Sequence, residues 1–432
     1  MTEKKETKPW RWVPTLYFSN TLPYVAITAL AMVFYKQLGL NNAEITFYTG
    51  WLYLPWLLKP VWKWLVKRMA NKRWWLLATE LTMGTAFGGV ALTIPTPSWL
   101  QGTLAFFWLM ALACVIHETT GEALYHDTLS EEKRAWFAGI RSICHRLAII
   151  FGQGVLVMFV GNLQIIHRNS ISLSWSFTFY IVAGLMLLLW VWHLFAIPKW
   201  RDENRPNKSL RQLRQQIKDT CSIFLAPQKR KEWAMAIVFV TLYAVPQGLL
   251  SKISTLFLID AIHRGGLGLS PQEYGLVQGT IGVIALGIGG FMGGLAISKH
   301  SLRRWLLPMT WSITLPTILY VYLSYAQPSS LLLISLFVFI QQWGYGFGFT
   351  ALMLCIMYYC KADLSGRQYV LGTTIMSSML MLSSVLSGYL QLQVGYPTFF
   401  ILVFACGLLA ILTTFFVKID PNFGKHEEEN QS

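Results

Sequence analysis

Long apolar runs broken by short polar or basic stretches dominate the chain. Runs of about 20 apolar residues, long enough to cross a bilayer core as helices, fall at 13–35, 45–62, 74–95, 102–125, 137–161 and 173–197. A polar stretch at 198–232 interrupts them, and six more follow at 233–259, 271–297, 305–326, 329–358, 369–391 and 396–418. The pattern predicts an all-α polytopic membrane protein with 12 transmembrane helices in two six-helix bundles. The expected divisions are a tail over 1–12, a bundle over 13–197, a linker over 198–232, a second bundle over 233–418 and a polar tail over 419–432.

Lys and Arg placement sets an orientation. The two tails and the loops after spans 2, 4, 6, 8 and 10 hold 28 of them. The other side has Lys36, Arg168 and Arg264, with Lys252 inside span 7 or near its far end. Positive residues collect on the cytoplasmic side, so both termini are expected there. The first 11 residues are polar and basic and no small-residue cleavage site follows, so they read as a tail and not as a signal peptide. The linker RDENRPNKSLRQLRQQIKD reads either as an amphipathic helix on the inner leaflet or as a solvated connection.

Weak internal similarity pairs the halves. Lys72, Arg73 and Trp74 after span 2 match Arg303, Arg304 and Trp305 after span 8. The stretch DTLSEEKR after span 4, with Asp127 and Arg134, matches ADLSGRQ after span 10, with Asp363 and Arg367. Equivalent helices of one orientation imply parallel repeats, an arrangement suited to alternating access. Lys63, Arg68, Arg73, Asp127, Arg134, Arg303, Arg304, Asp363 and Arg367 are therefore candidates for gating contacts, or else plain positive-inside anchors.

Composition agrees with the spans. The chain of 432 residues is 54% hydrophobic and 13% charged, against about 25% charged in soluble domains. The 19 Trp, 26 Phe and 18 Tyr suit headgroup-level belts. The net charge of +15, carried in short loops, points to an anionic inner leaflet and not to nucleic acid. Six scattered Cys without a Cys-x-x-Cys pair give neither disulfide framework nor metal site. No cofactor motif is present. The glycines of span 8, among them Gly275/Gly279, Gly289/Gly293 and Gly290/Gly294, lack a following Gly-Lys-Ser or Gly-Lys-Thr, so they read as helix-packing faces and not as a nucleotide loop. No paired catalytic constellation points to an enzyme.

Ionisable groups inside spans are costly and mark sites. Span 4 carries His117, Glu118 and Glu122, the two acids four apart on one helix face. Such a pair resists joint ionisation and can take up a proton. Span 5 carries Arg141, His145 and Arg146, so Arg141 or Arg146 is expected to pair with Glu118 or Glu122, for coupling and anion recognition or as a static bundle tie. His117 and His145 are proton-relay candidates or else satisfied core histidines. Lys59, beside Pro60, either snorkels to the headgroups or binds in a cavity; Lys252 either meets a solute anion or approaches the outer surface. Asp260 and Glu273 read as wet residues near an outer loop. Asn20, Gln247, Gln341 and Gln342 are polar cavity candidates, and Pro23, Pro55 and Pro60 predict kinks in spans 1 and 2.

These features resemble the AmpG muropeptide permeases of the major facilitator superfamily. The similar stretches are NTLPYVAIT at 20–28, the K-P of YLPWLLKP, ALYHDTLSEEKR ending at Arg134, H-R-L at 145–147, STLFLID at 254–260 and YGLVQGTIG in span 8. The chain is expected to be a monomeric carrier of the bacterial inner membrane, with twelve spans where many members of that family have more. The resemblance implies that it imports N-acetylglucosaminyl anhydromuramyl saccharides and peptides together with protons. It also implies that the family's span 4 acids fall on Glu118 and Glu122 and its span 5 arginine on Arg146. Lys63-Trp64 stands where the family has Asp-Arg, and Gln247 where it has Asp. Carriers of siderophores, sugars or drugs share much of the pattern, so a proton-coupled carrier of another solute is the second reading.

Overall fold

The computed structural model describes residues 8–66, 71–168, 170–198, 230–359 and 367–424. Every regular element among them is helical. Ten helices are long and apolar enough to cross a membrane. Two details relate that number to the twelve apolar runs. The second run is broken into Asn42–Trp51, Leu54–Leu57 and Lys59–Val66, each too short to span alone. The last helix, Arg367–Thr414, passes through Gly395 at φ 73°, a left-handed conformation, so it is two spans meeting at a corner. Glycine has no Cβ to oppose that φ.

Local chemistry accounts for the breaks. Pro55 and Pro60 each lack an amide hydrogen and clash with the preceding turn, and span 2 fragments around them. The short connections are capped. Asn71 accepts from the Trp74 N–H at the start of span 3, Lys72–Thr93. Ser130 accepts from the Lys133 N–H at the start of span 5. Ser270 and Glu273 form a reciprocal capping box opening span 8, so Glu273 is a helix cap and not a free wet acid.

Burial is low for so apolar a chain. Leu188, Phe195, Phe291, Leu332 and Phe415 are each at least 65% exposed. Water would penalise these surfaces, whereas lipid accepts them.

Two compact units emerge. The first comprises Met1–Gly39 and Trp51–Lys208; the second comprises Leu40–Gly50 and Ser209–Ser432. The first therefore contains spans 1, 3, 4, 5 and 6 and the later part of span 2, while the opening turns of span 2 belong with the second. In the first unit, Trp12, Leu16, Leu76, Leu124, Phe137 and Ile197 pack into one cluster near the basic end. Span 5 (Glu131–Ile166) approaches span 1 (Pro9–Gln37) closely at Gly152, where a Cβ would lie 2.7 Å from Val25 Cγ1. Both spans carry a π-helical segment, Ala26–Leu30 and Ile150–Leu156. Such segments often flank functional sites.

In the second unit, spans 8 and 10 touch backbone to backbone. A Cβ on Gly289 would meet Trp343 O at 2.1 Å, and one on Gly346 would meet Leu286 O at 2.3 Å. The close-approach face is thus Gly289/Gly293; Gly294 faces open space.

Candidate functional site: a charged cavity in the first unit

Span 4 (Trp99–Thr128) presents Glu118 and Glu122 to a cavity of about 490 Å³. Span 1 contributes Tyr17, Asn20, Thr21 and Tyr24 to its wall, and the broken span 2 contributes Tyr53, Trp56 and Lys59. Arg141, Ser142 and His145 face it from span 5. The fragmentation of span 2 at its prolines is what turns Trp56 and Lys59 inward.

Glu118 is held by span 2 and not by an arginine. Lys59 Nζ donates to its Oε1 at 2.6 Å, and Trp56 Nε1 donates to its Oε2 at 3.1 Å. The Lys59 and Glu118 side chains are 30% and 23% exposed. Each carboxylate oxygen thus has one donor, yet both partners reach solvent. This corrects two expectations: Lys59 does not snorkel, and the partner of Glu118 is Lys59.

Arg141 instead lies over aromatic rings, its guanidinium carbon 4.2 Å from the Tyr17 centroid and 4.5 Å from that of Tyr125. That is cation–π geometry. Glu122 and Arg146 are half-buried, and neither makes an ion pair among the described residues. The expected Arg–Glu pair does not form.

The two histidines differ. Thr21 donates its hydroxyl to Tyr17 O at 2.7 Å, so His145 Nδ1, 2.9 Å from Thr21 Oγ1, is the donor in that contact. Its Nε2 is left as the basic nitrogen. His117 is fully buried, with Nδ1 3.1 Å from Asn20 Oδ1 and no partner for Nε2 among the described residues. Asn20 touches both the cavity and His117.

Behind this wall lies a pair that the sequence reading missed. Glu80 of span 3 and His193 of span 6 are both fully buried, with Nδ1 2.8 Å from each carboxylate oxygen. His193 Nε2 reaches Thr15 Oγ1 at 2.9 Å. Each buried group answers the other, so the pair reads as a structural tie across spans 3 and 6. The rule applied to span 4, that an intramembrane ionisable group needs a partner, also applies to Glu80 and His193.

At the basic end, Lys72 pairs with Asp127. Arg73 donates to the carbonyls of Leu194 and Ile197, where span 6 ends. Arg134 contacts His126 at 3.0 Å and Glu131 at 3.6 Å. Lys63, Arg303 and Arg304 are exposed and without an ion pair among the described residues. Arg68, Asp363 and the Arg367 side chain lie outside the described residues.

The second unit contributes Lys252, which does not approach the surface. It is 9% exposed and donates to Thr49 Oγ1 at 2.5 Å. Asp260 is buried and not wet: Tyr396 donates to it at 2.9 Å, and Asn42 donates in turn to Tyr396 at 2.8 Å and to Gln391 at 2.6 Å. Gln247 and Gln341 are buried, Gln341 with an unpartnered Oε1, and Gln342 is half-buried.

Comparison with known proteins follows the same lines. The profile of the family described as Major Facilitator Superfamily matches residues 15–384. An anhydromuropeptide permease of Escherichia coli (strain K12) is 23% identical over 370 residues, covering 82% of this chain and 69% of that protein. A relative from Rickettsia conorii that carries the name AmpG 4 is 22% identical over 419 residues, covering 93% and 94%. Among solved structures, a mutant of the nucleoside transporter NupG superposes with TM-score 0.70 at 13% identity, over 94% of this chain and 99% of that one.

Proposed function

This chain belongs to the Major Facilitator Superfamily and is AmpG-like within it; on that premise we propose that it imports peptidoglycan fragments built on anhydromuramyl sugars, by proton-coupled alternating access in a bacterial inner membrane. The solute is supported by the relatives that bear the anhydromuropeptide permease name. The coupling is supported by one observation, the Lys59–Glu118 pair on the wall of a 490 Å³ cavity.

Ionised Glu118 accepts from both Lys59 and Trp56. Protonation places a hydrogen on one of those oxygens and removes the charge that holds Lys59. The ammonium is then released to the cavity, where a solute carboxylate can take it. Loss of the proton re-forms the pair and expels the anion. Proton and solute thereby each take one member of a single ion pair, so binding of either favours binding of the other. His145, through Nε2, is placed to pass the proton along the same wall.

The test is uptake of anhydromuropeptides by proteoliposomes under an imposed inward proton gradient. The reading expects gradient-driven accumulation that Glu118→Gln abolishes. Accumulation unaffected by collapsing the gradient defeats the coupling. Accumulation of another solute class alone defeats the muropeptide assignment while leaving the carrier standing.

A further inference from the structure

Lys252 is a buried lysine without a counter-charge among the described residues. Its side chain is 9% exposed. Among the described residues no carboxylate lies within ion-pairing distance of it. The nearest acid along its own helix, Asp260, lies two turns on and is held by Tyr396. Of the three ammonium donors, one is used, by Thr49. The Thr49 hydroxyl gives its hydrogen to Ile45 O at 2.6 Å, so it offers Lys252 a lone pair and no charge.

A single hydroxyl does not offset the desolvation of an ammonium in a protein interior. Other buried ionisable groups among the described residues are answered: Lys72 by Asp127, Glu80 by His193, and Asp260 by a tyrosine hydroxyl, a backbone amide and, at 4.0 Å, Arg264. Lys252 is the exception, and its surroundings in the second unit are closely packed helices. Gly248, one turn before it, sits against span 11, where a Cβ would fall 2.6 Å from Leu380 O. Gly50, next to Thr49, sits against Val385 of the same span. Lys252 thus lies where spans 7 and 11 and the opening turns of span 2 meet, with a neutral oxygen occupying the place of an anion.

We propose that Lys252 is an anion-binding residue for the carboxylate of an acidic amino sugar, and that Thr49 holds it while that place is empty. The inference rests on the carrier reading for its choice of ligand and not for its test. A lysine ammonium, being a point charge, accepts a phosphate as readily in principle, so the experiment includes both anions.

Purified full-length protein is titrated with N-acetylmuramic acid, with an N-acetylglucosamine phosphate and with neutral N-acetylglucosamine, and melting temperature is read. A ligand that binds the folded state raises it. The acid is expected to raise it in a saturable way and the neutral sugar is not. Lys252→Met should lose the response, with at least about tenfold weaker apparent affinity, while itself melting no lower than the parent, because a lone buried charge has been replaced by an apolar side chain of similar length. Thr49→Val, which removes the competing oxygen, should bind the acid more tightly than the parent. An equal response of the parent and Lys252→Met, or no response of the parent to the acid, overturns the proposal. A response to the phosphate alone overturns the carboxylate assignment. None of these readings depends on uptake, so a failed transport assay and a failed anion site remain distinguishable.

Discussion

Lys59 Nζ lies 2.6 Å from Glu118 Oε1 on the cavity wall of the first unit, with both side chains about a quarter exposed. The pair joins a fragment of the broken span 2 to span 4, so a change in its charge acts on two helices at once. Its partial exposure limits its stabilising value to that of a surface ion pair, roughly 0–1 kcal/mol. Glu118→Gln is therefore expected to leave the melting temperature within a few degrees of the parent while abolishing gradient-driven uptake. A large loss of stability with uptake retained would recast the pair as a structural tie. Lys59→Gln should likewise leave folding intact and weaken solute affinity, read as a raised KM.

Glu80 and His193 present the opposite case. Both are fully buried and bonded at 2.8 Å. Removing one member of such a pair costs roughly 3–5 kcal/mol, because the other is left buried and unpaired. Glu80→Leu is expected to lower the thermal midpoint sharply. The double variant Glu80→Leu/His193→Leu should recover most of that loss. Thermal unfolding in detergent reads both, and equal melting of the single and double variants would contradict the assignment.

The glycine face of span 8 yields a matched comparison. Gly289→Ala drives a methyl into the Trp343 carbonyl, 2.1 Å away, while Gly294→Ala enters open space. Overpacking of this kind costs about 1–3 kcal/mol. Gly289→Ala should destabilise by that order and Gly294→Ala hardly at all, as measured by thermal unfolding of the two variants side by side.

Much of the frame was legible in the sequence because apolar length is a direct physical requirement of a bilayer. A kink in span 2 was readable from Pro55 and Pro60, and a helix-packing face on span 8 from its glycines, but not that this face meets span 10. The two apolar runs 369–391 and 396–418 were read as separate spans, and the structure places the corner between them at Gly395.

The candidate site was legible in part. Glu118, Glu122, Arg141 and His145 do share one cavity, and sequence spacing on spans 4 and 5 was enough to group them. Their pairing was not, because it depends on which way span 2 turns after its breaks. That turn brings Lys59 to Glu118 and leaves Arg141 to Tyr17 and Tyr125. Glu80 and His193 lie 113 residues apart, and no local periodicity links them. Asp260 was read as wet because it closes a span, yet Tyr396, 136 residues away, covers it.

Solute-driven proton movement tests the central claim most directly. Proteoliposomes with a pH-sensitive dye in the lumen, at equal pH on both sides, receive anhydromuropeptide outside. The account predicts that the lumen acidifies with wild-type protein as solute enters, and that Glu118→Gln vesicles show no acidification. Solute entry without any lumenal pH change, or equal acidification with Glu118→Gln, would contradict it.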